Sequence, residues 1–209
     1  MLFNNWKENL QPLINKYKDR KHPLAYQNLY QLLIMIILAA QDSDANINKV
    51  KVSFFDKYPN ISNLSKASAS EISNYVSTVT NYQNKSNWIH ETANMIISDD
   101  KIPTNLDNLI KLKGVGRKSA NVILKEINQK SEGIIVDLHV IRVVPRIGLA
   151  PTYNDGNKIE KLLMQQLPYE IWNDIGMSFS FLGREICRPT NPKCNICPVN
   201  THCNYFNNL

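Results

Sequence analysis

The chain has 209 residues, 43% of them hydrophobic and 20% charged, and 24 Lys and Arg against 18 Asp and Glu leave a net charge of +6. That length supports one large domain or two small ones with a real core, and the composition excludes a disordered chain. The basic excess favours a polyanionic partner, nucleic acid or a membrane surface, with a merely solvated basic surface as the bland alternative.

The opening MLFNNWKENLQPL carries Asn, Glu and Lys where a secretory signal needs an apolar run. Helical periodicity dominates the rest, and strand signals are scarce. Residues 5–18 read as helical, with Pro12 as a kink or break. An apolar helix follows over 26–41, ending in Gln41. Its run LLIMIILAA is too short to cross ~30 Å of hydrocarbon and reads as a core helix. Residues 44–56 form another helix, with Val50, Phe54 and Phe55 among its apolar positions. Ser68 and Glu71 make a Ser-x-x-Glu capping box that opens the next. Helices are then expected over 84–97, 106–112 and 118–127, and after Asp137 near 138–144, 156–166 and 170–183, with Pro59, Pro103, Pro151 and Pro168 between segments. The expected class is all-α, with about ten short helices.

The stretch LKGVGRKSANV, residues 112–122, places Gly114 and Gly116 between two helical patterns. A helix N-terminus exposes unpaired N–H groups with partial positive charge, and glycine lets a phosphate approach them. The corner therefore suits a phosphate grip that reads no base; a tight αα-corner with glycine used only for geometry is the plain alternative. Arg117 and Lys118 follow in the first turn of the second helix. The dipole disfavours positive charge there, and an amine so placed is a candidate nucleophile able to form a Schiff base. Asp137 in GIIVDLHVIRV is a natural N-cap. A carboxylate at a helix start can also stabilise a cation or move a proton. His139 and Arg142, on the same helix, are either structural or contact phosphate.

Four cysteines fall in the last 23 residues, Cys187, Cys194, Cys197 and Cys203, spaced C-x6-C-x2-C-x5-C. A Cys-x-x-Cys pair with two further thiolates points to a four-cysteine metal site, and the spacing does not separate zinc from iron–sulfur. Two disulfides are the alternative, and the absence of a signal-like start argues against them. The loop RPTNPK between the first two cysteines carries Arg188 and Lys193, which could present cations to phosphates.

Together these pieces resemble the endonuclease III family of DNA glycosylases, in the helix–hairpin–helix superfamily, along nearly the whole chain. LKGVGRKSANVIL is similar to the family's hairpin with its lysine nucleophile, at Lys118. VDLHVIRV resembles the segment with the catalytic aspartate, at Asp137. The cysteine spacing is that of the family's [4Fe–4S] loop. ILAAQDSD resembles the segment whose glutamine enters DNA, here Gln41, followed by Asp44. NYQNKSNWI resembles the segment with an intercalating residue, here Asn81. Three positions depart from the family pattern: Asn81 for an apolar residue, Lys113 for proline and Leu138 for threonine.

The resemblance implies a six-helix barrel over 22–132 and an iron–sulfur domain from 1–21 and 133–209, with the active site in the cleft between. It implies a bifunctional glycosylase and apurinic/apyrimidinic lyase of base-excision repair, acting on oxidised pyrimidines. Lys118 and Asp137 would be catalytic. Gln41, Asn81, Gly114, Gly116, Arg117, His139, Arg188 and Lys193 would contact DNA. The four cysteines would hold a [4Fe–4S] cluster. The expected partner is double-stranded DNA with a damaged base or abasic site, and the expected form is a cytoplasmic monomer away from membranes, nucleoid-associated in a bacterium. A monofunctional mismatch or uracil, thymine or adenine glycosylase, and a non-catalytic DNA-binding iron–sulfur protein, are the alternatives. Lys118 weighs against the first, and keeping Lys118 together with Asp137 weighs against the second.

Overall fold

The computed structural model describes residues 5–208. Among the described residues it contains thirteen α-helices, four short 3-10 helices and no strand. The helical segment expected over 5–18 is two helices, α1 (Trp6–Asn9) and α2 (Gln11–Tyr17), so Pro12 marks a break. Proline is tolerated in a first helical turn because its missing N–H would have no partner there.

The helices that follow are α3 (Leu29–Ala39), α4 (Asp44–Lys57), α5 (Ile61–Leu64), α6 (Ala69–Tyr75), α7 (Tyr82–Ile96), α8 (Leu106–Leu109) and α9 (Arg117–Glu126). They belong to one compact unit, Lys21–Gln129. Its centre is α3, in which every residue from Leu32 to Leu38 is buried. A helix apolar on all faces belongs inside a core, where each such side chain contributes about 1.5–3 kcal/mol. Asn28 caps its start by accepting from Gln31 N–H. The apolar run sets no end to it, and the expected limit at Gln41 is two residues too long. Gln41 instead turns left-handed, φ 58°, after the Lys85 ammonium takes the Leu38 and Ala40 carbonyls at 2.7 and 2.6 Å. The capping box at the start of α6 forms as expected: Ser68 Oγ accepts from Glu71 N–H, and the Glu71 carboxylate accepts from Ser68 N–H.

The second unit comprises Met1–Arg20 and Lys130–Leu209. Its later helices are α10 (Leu138–Ile147), α11 (Gly156–Gln166), α12 (Trp172–Glu185) and α13 (Asn204–Asn207). The helix expected near 138–144 is longer than its pattern. It runs through Pro145 to Ile147 and ends at Gly148, φ 101°, the left-handed C-terminal cap that glycine supplies. Helix α12 is buried continuously from Ile175 to Gly183 and packs on α2 and α10. Its close approach to α10 depends on Gly183, where a Cβ would fall 2.7 Å from His139 Cβ. No helix among the described residues is long and apolar enough to cross a membrane.

Candidate active site

The glycine corner lies in the 21–129 unit, between α8 and α9. Gly114 has φ +78°, and a Cβ there would meet Trp88 Cε3 at 2.9 Å and Ile37 Cγ2 at 3.0 Å. Backbone conformation and packing both demand glycine at that position. Gly116 is different. It is the N-cap of α9 in extended conformation, φ −87°, with no side-chain capping bond. A Cβ there would meet nothing within 4 Å. Nothing inside the fold requires this glycine, and open space lies where its Cβ would stand. Lys118 is exposed and Arg117 half-buried in that first turn.

Asp137 lies in the other unit. It caps α10, with Oδ1 accepting from the N–H groups of His139 and Val140 at 2.8 and 2.9 Å. Its second oxygen, Oδ2, accepts from Ser180 Oγ at 2.6 Å. Leu138, next to it, is 79% exposed. His139 is half-buried between α10 and α12, and its Nδ1 lies 3.2 Å from Arg142 Nη2. Arg142 also donates to the carbonyls of Gly183 and Cys187. Both residues thus help to bind the α10 and α12 segments together.

Gln41 and Asn81, both exposed, are brought onto neighbouring loops of the 21–129 unit, each in the left-handed region, φ 58° and 57°. Asn81 starts α7, with its side-chain oxygen accepting from Asn84 Nδ2 at 2.8 Å. Left-handed backbone is a conformation asparagine tolerates better than leucine. Asp42 joins the loops. Its Oδ2 accepts from Thr80 N–H at 2.7 Å, and its Oδ1 from Ser43 N–H and the Asn46 amide. That amide also reaches the Thr78 carbonyl. Behind them stands Lys85, 1% exposed. Burial pushes its ammonium below the usual lysine range, against the opposing pull of Asp42.

The four cysteines are free thiols. Burial raises Cys194, and the negative charges of Cys187 and Cys203 raise it further. Burial likewise pushes Cys197 up to about 11, partly opposed by the Val199 backbone and reinforced by the other three cysteines. The four therefore share one electrostatic neighbourhood, in which thiolates need a cation beside them. Arg146 supplies one charge, its Nη1 lying 3.5 Å from Cys187 Sγ. Among the described residues, no group of three or more His, Cys, Asp or Glu closes into a cage for a single metal ion. Four thiols close enough for their charges to interact have the donor chemistry of a four-cysteine metal centre. Arg188 and Lys193 are exposed on the RPTNPK loop. Arg146 holds its backbone through the Arg188 and Pro189 carbonyls, and Lys193 N–H closes it on the Ile186 carbonyl.

A family model described as HhH-GPD superfamily base excision DNA repair protein matches residues 34–169. The endonuclease III of Bacillus subtilis (strain 168) is 33% identical over 182 residues, covering 86% of this chain and 83% of that protein. The chain belongs to the endonuclease III family. A solved structure of a trapped endonuclease III–DNA covalent intermediate, an estranged-adenine complex, superposes with a TM-score of 0.85 at 31% identity, covering 96% of this chain and 94% of that one. A thermostable thymine-DNA glycosylase matches with a TM-score of 0.80 at 20% identity, over 96% and 95% of the two chains, which shows the shared fold alone.

Several residues around these sites carry little or no local sequence signal. Ser180 sits inside an apolar helical pattern 43 positions from Asp137. Lys85 reads as one more lysine on an amphipathic helix. Arg146 follows a proline that suggests a helix end. The one local clue, a polar residue on a buried helix face, points at Ser180.

Proposed function

We propose that this base-excision-repair glycosylase is bifunctional, removing oxidised pyrimidines from duplex DNA and then cutting the strand by β-elimination. The observation that carries the reading is the exposed Lys118 in the first turn of α9, two residues after a glycine that nothing inside the fold requires. The N–H groups opened at Gly116 and the corner at Gly114 grip a DNA phosphate. The target nucleotide leaves the stack, since its C1′ is unreachable inside the duplex.

Lys118 Nζ forms a bond to C1′ as the bond from C1′ to the base nitrogen breaks, and the base departs with the electron pair and takes up a proton. The Asp137 carboxylate, held at the start of α10, stabilises the cationic sugar that develops and takes a proton from the attacking amine. Ring opening gives the protonated Schiff base. Loss of a C2′ proton then expels the 3′ phosphate, and water hydrolyses the imine to return Lys118. Gln41 and Asn81 enter the DNA beside the lesion, and Arg117, His139, Arg188 and Lys193 contact its backbone. Cys187, Cys194, Cys197 and Cys203 would hold a [4Fe–4S] cluster, which would cross-link the C-terminal segment.

Borohydride trapping on duplexes with thymine glycol, uracil or an abasic site tests this. Wild type should give a covalent adduct with thymine glycol and the abasic site. Lys118→Ala should abolish the adduct and keep duplex affinity. Asp137→Asn should bind normally and lose about 10²-fold or more in rate. An adduct formed at the native rate by Lys118→Ala would overturn the assignment. Purified protein should be yellow-brown, with broad absorbance near ~400 nm; a colourless protein with one zinc per chain would refute the cluster.

A further inference from the structure

Helix α12 buries two serines, Ser178 and Ser180, and treats them differently. Ser178 donates to the carbonyl of Asp174, four residues back in its own helix, at 2.8 Å. That is the ordinary way a helix satisfies a buried hydroxyl. Ser180, 0% exposed, turns instead to another helix. Its proton goes to Asp137 Oδ2 at 2.6 Å, short enough for a charge-assisted bond. From the other side Arg184 Nε approaches Ser180 Oγ at 3.5 Å. With a cationic donor on its lone pairs, the hydroxyl has its one proton directed at the carboxylate.

Asp137 needs such a partner if its orientation matters. Both backbone donors of the N-cap converge on Oδ1. They fix that one oxygen and leave the carboxylate free to swing about it. Ser180 supplies the fixed point for the other. The contact is possible because α10 and α12 approach closely at Gly183, and the small side chain at 180 leaves Asp137 only half-buried. Ser180 occupies one of the two lone pairs of Oδ2. A helix cap alone asks nothing of α12: the two N–H bonds to Oδ1 satisfy it.

We propose that Ser180 is a positioning residue for this reaction, one that orients the Asp137 carboxylate toward the sugar through Oδ2. The proposal rests on the reading of Asp137 as the catalytic carboxylate. Ser180→Ala removes the bond and leaves the helix cap. It should lower the single-turnover rate of base removal about tenfold, with duplex affinity unchanged. Ser180→Thr keeps the hydroxyl and should restore most of that rate.

A double-mutant cycle with Asp137→Asn, read in single-turnover base removal and in thermal unfolding, separates this role from plain packing. If Ser180 acts through the carboxylate, Ser180→Ala costs tenfold in the native background and little in the Asp137→Asn background. An equal loss in both backgrounds, or a native rate in Ser180→Ala, overturns the proposal. Should Ser180→Ala fail to fold, Ser180→Cys, with a weak donor of similar size, replaces it and should fall between Ala and Thr; a native rate there overturns the proposal too. If Asp137→Asn itself keeps the native rate, the reading of Asp137 fails first, and Ser180 falls with it.

Discussion

Gly114 lies against the indole of Trp88, with the place of its missing Cβ 2.9 Å from Trp88 Cε3, whereas the same position at Gly116 faces open space. Two glycines of one short motif are therefore held for different reasons. Gly114→Ala should destabilise the 21–129 unit by about 1–3 kcal/mol, through strain at positive φ and displacement of Trp88. Gly116→Ala should leave the denaturation midpoint within about 0.5 kcal/mol of wild type, yet weaken duplex binding, because its methyl group would stand where a phosphate approaches. Urea titration and DNA titration of both variants check the split. Equal behaviour of the two in both measurements would remove the distinction.

Asn81 offers a second separation of fold from function. Its φ of 57° suits asparagine or glycine, and leucine there costs about 1 kcal/mol or more. Asn81→Gly keeps the turn and deletes the side chain. It should melt close to wild type and lose activity on a stably paired lesion more than on an abasic site, where less stacking must be overcome. Asn81→Leu should improve activity on the paired lesion relative to the abasic site while lowering stability. Equal effects on both substrates in both variants would exclude position 81 from the DNA stack.

The RPTNPK loop is held by its backbone, not its charges. Arg146 bonds to the carbonyls of Arg188 and Pro189, which leaves the Arg188 and Lys193 side chains exposed. Replacing both with alanine should keep the loop in place and make the log–log salt slope of duplex binding shallower by about one to two, roughly one unit for each phosphate no longer neutralised. An unchanged slope would place the loop outside the DNA interface.

What the sequence disclosed depended on how local each determinant is. The Ser68–Glu71 capping box and the Asp137 cap link residues no more than three positions apart, and both form as read. The end of α3 was not legible, since no glycine, asparagine or proline marks it. A lysine 45 residues downstream of Ala40 takes its carbonyl. The single segment read over 5–18 divides at Leu10 because the first-turn preference of Pro12 outweighs continuity. Around the candidate site, Lys118, Asp137 and the cysteines announce themselves by motif. Ser180 and Asp42 gain their meaning from tertiary contacts 43 and 38 positions away, and no local period encodes those.

Asp42 shows how such a contact reads out in solution. Partial burial pushes its carboxyl up. The Thr80 and Ser43 N–H groups and the Asn46 amide outweigh that and hold it below the ordinary value of 3.8. A carboxylate with a depressed folded-state value adds stability at pH above the unfolded value, and that stability is lost as pH falls through the folded one. Asp42→Asn turns an amide donor toward groups that are themselves donors, so it should cost about 1–3 kcal/mol at neutral pH. The difference between wild type and Asp42→Asn should hold from pH 7 down to the ordinary carboxylate range and shrink below it. It should be accompanied by weaker activity on paired lesions, because the bond from Asp42 to Thr80 ties the Gln41 loop to the Asn81 loop. Urea unfolding at a series of pH values measures the first effect and single-turnover excision the second. A stability difference that stays constant down to pH 2.5 would show that the carboxylate charge at position 42 does not hold the two loops together.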